Sequence, residues 1–349
     1  MVNWLGMDLQ EMEETFTQLG EERYRGRQLA DWIYGKGVLD FAAMSSFSLA
    51  LREKLAELSQ VEVPIVSRLE QSARDPVWKA LLQYADGALA ECVLMHFNYG
   101  SSVCLSSQIG CRQRCIFCAS GSAGLERNLS TAEILGQILL LQQLQPDKRV
   151  SHIVMMGMGE PLDNLAAVLK ALHIANATWG LGISYRQMTV STCGSQAGIA
   201  QLRQQRLPLT LSVSLHAPDD ATRRLLMPVA AQLSLKDLLA EIRLYTQETR
   251  RRVTLEYVMI DKLNDSLHQA EQLRRLLRGM LVQVNLIPLN PVGSSGAMPL
   301  SPSPPAAIRQ FTQVLRDGGI NVTLRKERGG DITAACGQLR RHQLNNSCG

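Results

Sequence analysis

The sequence predicts an α/β protein with a mostly parallel sheet, an open or closed barrel, preceded by a small helical unit and a β-hairpin. Three observations lead there. From residue 103 onward, apolar strand-length runs alternate with amphipathic stretches about every 30–40 residues, the rhythm of βαβ units. Residues 8 to about 60 show helical periodicity and no strand-like alternation. Between these regions two strand-like runs flank the turn pair Asp86-Gly87.

In the front unit, Glu22 to Leu29 followed by Trp32 and Ile33 mixes cations with an apolar stripe, as a packed helix does. Residues 77–84 and 89–97 form the hairpin. Strands are expected at 103–106, 152–158, 187–191, 209–214, 253–260, 282–289 and 321–325. Helices are expected at 131–144, 165–177, 235–246, 266–278 and 305–317. Six or so such units place the chemistry at the C-terminal strand ends. The Ser-, Pro- and Gly-rich stretch 293–305 reads as a long surface loop. The resulting division is a helical accessory unit over 1–60, a hairpin linker over 61–98, a core over 99–330 and a C-terminal segment over 331–349.

Composition narrows the class. A chain of 349 residues that is 46% apolar supports one large catalytic domain with a smaller attachment, packed mainly by aliphatic side chains. The acidic residues Asp8, Glu11, Glu13 and Glu14 argue against a secretory leader, and no apolar run reaches the roughly 18 residues that span a bilayer. A soluble, cytoplasmic protein without a membrane partner is expected. A net charge of +4 permits a nucleic-acid partner without demanding one. Eight cysteines are too sparse for a disulfide scaffold, but Cys111, Cys115 and Cys118 crowd into eight residues and point to metal or redox chemistry.

Cys111-Arg-Gln-Arg-Cys115-Ile-Phe-Cys118 follows the first core strand in a loop opened by Gly110. Thiolates at offsets of four and three can wrap one corner of an iron–sulfur cube and leave the fourth iron open for a small molecule. A structural zinc ion is the competing reading. It requires a closed shell, and Cys104, Cys193 or His216 would have to complete it. The C-x3-C-x2-C spacing with an aromatic before the last cysteine resembles the radical S-adenosylmethionine (SAM) superfamily. One strand later, Met156-Gly-Met-Gly159-Glu160-Pro161 resembles that superfamily's segment for the SAM amino group. Glycine there permits close backbone approach, and Glu160 offsets an ammonium charge.

The resemblance narrows further. Ser106-Ser-Gln-Ile-Gly-Cys111, the Gly-Glu-Pro segment, Ser214-Leu-His-Ala-Pro218, Asn285-Leu-Ile-Pro-Leu-Asn290-Pro291 and Asp331-Ile-Thr-Ala-Ala-Cys336 together resemble the RlmN/Cfr family over nearly the whole chain. That resemblance implies a partial (β/α)6-type radical SAM barrel and methylation of adenine in 23S ribosomal RNA, with transfer RNA added in the RlmN branch. It implies a [4Fe-4S] cluster on the three cysteines, two SAM molecules per turnover, a flavodoxin-like electron donor and a monomer. By the same resemblance Cys336 accepts a methyl group from one SAM, and a 5′-deoxyadenosyl radical from a second removes hydrogen from it. The resulting carbon radical adds to the base. Cys104 then releases the adduct by forming a disulfide with Cys336, and Glu91 removes the adenine hydrogen. Gly159, Glu160, Ser191, Ser214, Leu215, His216, Asn290 and Met156 map onto the SAM pocket.

Read without the family, Cys104 and Cys336 are inert buried thiols, Glu91 is a solvent-facing strand residue, and His216 and Met156 are core. Arg112, Arg114, Arg127, Arg250 to Arg252, Arg325, Lys326, Arg328, Arg340 and Arg341 are candidate phosphate contacts. Arg23, Arg25, Arg27 and Trp32 give the front unit an RNA-docking role by family resemblance. A radical reaction on a base implies that the target adenine leaves its stack. Pro161 stands where the Cfr branch commonly has alanine, favouring carbon 2 over carbon 8. A carbon-8 methyltransferase, and more distantly a non-catalytic RNA-binding metalloprotein, are the alternatives.

Overall fold

The computed structural model describes residues 1–121, 124–290, 300–326 and 328–332. The front unit holds α1 (Leu9–Gln18), α2 (Arg25–Ala30) and α3 (Leu49–Leu58), closed by the parallel pair β1 (Val2–Asn3) and β2 (Ser59–Gln60). Asp8 starts α1 through a reciprocal cap, accepting from the Glu11 amide at 2.9 Å while the Glu11 carboxylate accepts from its own at 2.8 Å.

Next come β3 (Ile65–Gln71), β4 (Val77–Gln83), β5 (Leu89–Phe97) and β6 (Gly100–Cys104), an antiparallel meander. The β4–β5 hairpin turns at Asp86-Gly87, with Gly87 at φ +82°. Strand β3 extends the expected hairpin to three strands. It is a mostly exposed edge with a register shift between Val66 and Arg68, so it carries no apolar alternation to read.

After the small hairpin β7 (Gln108–Gly110) and β8 (Leu125–Asn128), the chain runs α4 (Thr131–Leu144), β9 (Val150–Met155), α5 (Leu165–Asn176) and β10 (Met188–Thr192). It continues through α6 (Gln196–Gln204), β11 (Thr210–Ser214), α7 (Asp220–Leu226), α8 (Leu235–Thr249) and β12 (Val253–Met259). The last elements are α9 (Leu267–Leu276), β13 (Val282–Pro288), α10 (Pro305–Asp317) and β14 (Asn321–Leu324). Serines cap α3, α4, α6, α8 and α9, their hydroxyls accepting first-turn amides.

One ten-stranded sheet has the order β14-β13-β12-β11-β10-β9-β6-β5-β4-β3. From β6 through β14 every neighbouring pair is parallel, and all seven expected core strands are present. The result is the partial barrel that the α/β rhythm predicts, with the meander added on the β6 side. A continuous, largely aliphatic core runs from Trp4 and Phe16 in the front unit to Phe311 and Ile320.

Beyond β14 the chain crosses to the β3–β4 turn. The Gly329 amide donates to Asp75 at 2.9 Å, and the Asp331 carboxylate accepts from Ser72 Oγ at 2.5 Å and the Ala73 amide at 2.7 Å. Ile332 then packs on a small cluster of Val77, Val93 and Cys104, with Met95 and Met156.

Candidate active site

The three-cysteine loop hangs from the end of β7 and is framed by β8. Gly110 has φ +76°, and a Cβ there would lie 1.9 Å from the Gly124 carbonyl oxygen, so only glycine lets the loop start. The Cys111 amide donates to that same carbonyl at 2.9 Å, Ile116 donates to Leu226 O at 3.0 Å, and Cys118 to Cys115 O at 3.1 Å. Burial pushes the Cys111 thiol up to about 12, with Cys193, Cys118 and Glu160 adding to it.

The sequence presents Cys193 as a candidate fourth ligand of a zinc shell. Its thiol instead shares a hydrogen bond with Cys115, which raises it well above the usual thiol range, with burial second. Sequence spacing could not reveal this, because the loops after β7 and β10 meet only in the folded chain. Among the described residues no three His, Cys, Asp or Glu side chains converge as ligands of one ion would.

The Gly-Glu-Pro segment leaves β9 and lies against the chain after β6. A Cβ on Gly157 would sit 2.6 Å from the Leu105 carbonyl group, and one on Gly159, at φ +105°, 2.7 Å from Ser107 Oγ and Gln108 Cβ. Ser106 Oγ accepts from the Met158 amide at 2.9 Å and donates to Glu91 O at 2.6 Å, clamping β5, β6 and β9 at one level. Glu160 is buried, and its carboxylate accepts the Leu162 amide at 3.1 Å and the Cys193 amide at 2.6 Å. Burial raises its pKa to about 7. Both oxygens are thus engaged by backbone, and the carboxylate joins the β9 and β10 loops.

A cavity of about 780 Å³ occupies the barrel, within the size range of small-molecule sites. Cys104, Cys118, Met156, His216 and Asn290 line it. Gly159, Glu160, Ser191, Ser214 and Leu215 lie at or just after the C-terminal ends of their strands but do not line it. His216 sits at φ +57°; its Nδ1 accepts from the Val258 amide at 3.0 Å, and Asn264 Nδ2 donates to its carbonyl at 2.8 Å. Nε2 therefore carries the proton. Burial, then Arg223, pushes the ring down to about 3, and it meets Phe117 edge-on at 4.6 Å.

Glu91 is buried, contrary to a solvent-facing strand residue, and pairs with Lys79 at 2.8 Å. Lys79 lies opposite Val93, Cys104 lies opposite Val93 on the other side, and Glu91 is two residues from Val93. All four share the cavity-facing side of the sheet. Lys79 was missed, as was Glu256, whose carboxylate lines the cavity and accepts from Asn285 Nδ2 at 2.7 Å and Ser212 Oγ at 3.2 Å. Burial raises the Glu256 pKa. A charged residue inside the apolar run 253–260 was the available signal.

Cys336 lies outside the described residues, as do Arg340 and Arg341. Ile332, four residues earlier, shares its packing cluster with Cys104, and four residues span at most about 14 Å. Around the cysteine loop, Ser107 Oγ, Gln113 Oε1 and Ser120 Oγ are buried without a partner in the protein. Such orphaned groups, glycines that admit no Cβ, and gathered thiols fit a cluster with a polar ligand on it.

Residues 2–61 match the ribosomal RNA large subunit methyltransferase N-terminal domain, and residues 105–276 match the radical SAM superfamily. A probable dual-specificity RNA methyltransferase RlmN from Symbiobacterium thermophilum is 45% identical, covering 96% of this chain and 90% of its own. The chain belongs to the RlmN family. An RlmN of the same description from Clostridium perfringens strain SM101 is 42% identical, covering 99% and 98% of the two chains. A crystal structure of a radical SAM methyltransferase from Sphaerobacter thermophilus superposes with a TM-score of 0.92 at 39% identity, covering 97% and 99%. RlmN membership brings with it a [4Fe-4S] cluster and SAM. Among the described residues no helix is long and apolar enough to cross a membrane.

Several arginines expected at phosphates are engaged internally in this RlmN-family chain. Arg127 pairs with Asp86 at 2.6 Å and with Glu133 at 2.8 Å, beneath the Tyr84 ring. Arg112 pairs with Asp163 at 3.3 Å, and Arg251 Nε donates to Leu209 O at 2.8 Å.

Proposed function

We propose that this chain methylates carbon 2 of a specific adenine in 23S ribosomal RNA, and also in transfer RNA, through a methyl group carried on Cys336. The observation that carries this reading is that Cys104, in contact with the approach to the tail, and Cys118, of the cluster loop, line one cavity. The names of the relatives support the RNA substrate. Cys111, Cys115 and Cys118 hold the [4Fe-4S] cluster, and Met156, Gly159, Glu160, Ser191, Ser214, Leu215, His216 and Asn290 form the SAM pocket. When bound, cluster and SAM supply a methyl group and, with one electron, a hydrogen-abstracting carbon radical, two SAM being used per turnover.

The chain's own residues do the rest. The Cys336 thiolate takes the methyl group, and the partial barrel holds that sulfur and the base in line. Once the methylene carbon has bonded to adenine carbon 2, the adduct returns one electron to the cofactor site and Glu91 accepts the carbon-2 proton, leaving an even-electron thioether on Cys336. The Cys104 thiolate attacks the Cys336 sulfur, a disulfide forms, and the broken carbon–sulfur bond leaves its electron pair on the adduct, which protonates to the methyl product. A dithiol reductant then restores both thiols. A flavodoxin-like protein is the electron donor, and the enzyme works as a cytoplasmic monomer.

Nucleoside mass spectrometry of both RNA pools from a deletion strain tests this. We expect 2-methyladenosine to vanish, to return with the wild-type gene, and not to return with Cys336→Ala. Persistence of 2-methyladenosine, or loss of 8-methyladenosine instead, overturns the assignment.

A further inference from the structure

Tyr99 stands in the turn between β5 and β6 with 65% of its surface exposed, yet its ring is not loose. It lies parallel to Phe97, centroids 4.8 Å apart and planes 9° apart, and meets His152 edge-on at 5.1 Å. The Arg328 guanidinium sits 4.6 Å from the Phe97 centroid. This chain of ring contacts joins the two sides of the open sheet. Tyr99 and Phe97 come from the meander, Arg328 from the segment after β14.

Phe97, Tyr99, Arg325, Lys326 and Arg328 all border the cavity that also reaches Cys104 and Cys118. Phe97 and Tyr99 do so at the end opposite the cysteine loop, because Phe97 pairs with Gly100 at the start of β6 and Cys104 ends it, and Arg328 reaches them through the Phe97 ring; Arg325 and Lys326 border the cavity from the end of β14. Towards the cysteine loop the lining includes Val258 and Leu289, members of a separate buried apolar cluster, beside His216 and Asn290. A polyanion reaching the first end thus meets a stacked ring pair with a cation against it. Five residues of strand from Tyr99 to Cys104 span about 17 Å.

We propose that Tyr99, held flat by Phe97, is a stacking platform for a nucleobase flanking the target adenine, with Arg325, Lys326 and Arg328 taking the adjoining phosphates. An exposed ring face fixed before binding gives a sequence-tolerant contact to an unstacked base, and its ordering cost is met within the fold. The cations supply what a neutral protein ligand would not need. This inference rests on the RNA reading above and extends it to the neighbouring nucleotide.

The test uses the full chain with its cluster reconstituted and an RNA hairpin carrying the adenine found by the nucleoside assay. Fluorescence anisotropy gives Kd for wild type, Tyr99→Phe and Tyr99→Leu, with 2-aminopurine placed in turn on each side of the target. Iron content and thermal unfolding of each variant confirm that it is folded. Tyr99→Leu should weaken binding roughly ten- to a hundredfold and restore 2-aminopurine fluorescence at one flank, while Tyr99→Phe stays near wild type. An abasic site at that flank should weaken wild type to the same degree and make Tyr99→Leu indistinguishable from it. Wild-type affinity for Tyr99→Leu, or an equal further loss on the abasic RNA, overturns the platform while leaving the RNA reading intact. Failure of the wild-type chain to bind the hairpin overturns both.

Discussion

Replacing Lys79 by Met isolates the pairing of two buried charges in the active-site wall. Lys79 Nζ lies 2.8 Å from Glu91 Oε2, with side-chain exposures of 0% and 4%. At that depth each ion has lost its hydration, and mutual attraction offsets most of that cost only while both are present. Removing the cation alone leaves a desolvated carboxylate, which costs about 3–5 kcal/mol. Against a typical stability of about 5–15 kcal/mol, that is a large fraction of the total. Adding Glu91→Gln to Lys79→Met removes the stranded charge, so the double variant should recover most of the loss. The assay is urea unfolding followed by circular dichroism near neutral pH, run as a double-mutant cycle with slopes compared to confirm a common transition. A single-variant cost below about 1 kcal/mol, or a double variant as unstable as the sum of the singles, would refute the reasoning.

Three other perturbations probe different parts of the site. His216 is buried neutral with its pKa lowered from 6.5 to about 3, so its contribution is fully present above pH 6.5 and is lost as pH falls towards 3. The loss is on the order of 5 kcal/mol, and His216→Asn, which keeps an acceptor for the Val258 amide, should flatten that acid limb in pH-dependent unfolding. Gly159→Ala forces a Cβ to 2.7 Å from Ser107 Oγ at φ +105° and should cost about 1–3 kcal/mol in strain. SAM affinity by equilibrium dialysis should drop with it, and an unchanged affinity would argue against the Gly-Glu-Pro assignment. Asp331→Ala releases the contacts to Ser72 and Ala73. It should slow the appearance of a methyl adduct on Cys336 by intact-mass spectrometry while leaving iron content and unfolding near wild type; unaltered adduct formation counts against a guiding role.

The legible parts of this fold are those whose physics is local. Helices α4 and α10 begin and end where a capping serine or an initial proline dictates, and both match their expected bounds. Strands such as β10 and β13 stand out because one face is buried and apolar while the alternate residues, Thr189, Gln283 and Asn285 among them, face the cavity. The small helices α6 and α7 and the edge strand β3 are too short or too exposed for a periodic signal. In the site, three-cysteine spacing is a property of one loop and is readable. The meeting of Cys193 with Cys115 and of Lys79 with Glu91 depends on which strands become neighbours, and so is not. Alternation marks Glu91 as belonging to one face of β5 but does not say whether that face meets water or a cavity. His216 looked like a core residue or a ligand; its positive φ and the bond to Val258 show a ring whose position is fixed by backbone.

The crossing from β14 to the β3–β4 turn has a mechanical consequence. A partial barrel can gape, and its two margins are here tied by a short strap, anchored through Gly329 and Asp331 to Asp75, Ser72 and Ala73. Spreading the margins while those anchors hold would draw the strap taut and pull on Ile332 where it packs against Cys104. A guest wide enough to part the margins would thereby be felt at the wall that holds Cys104.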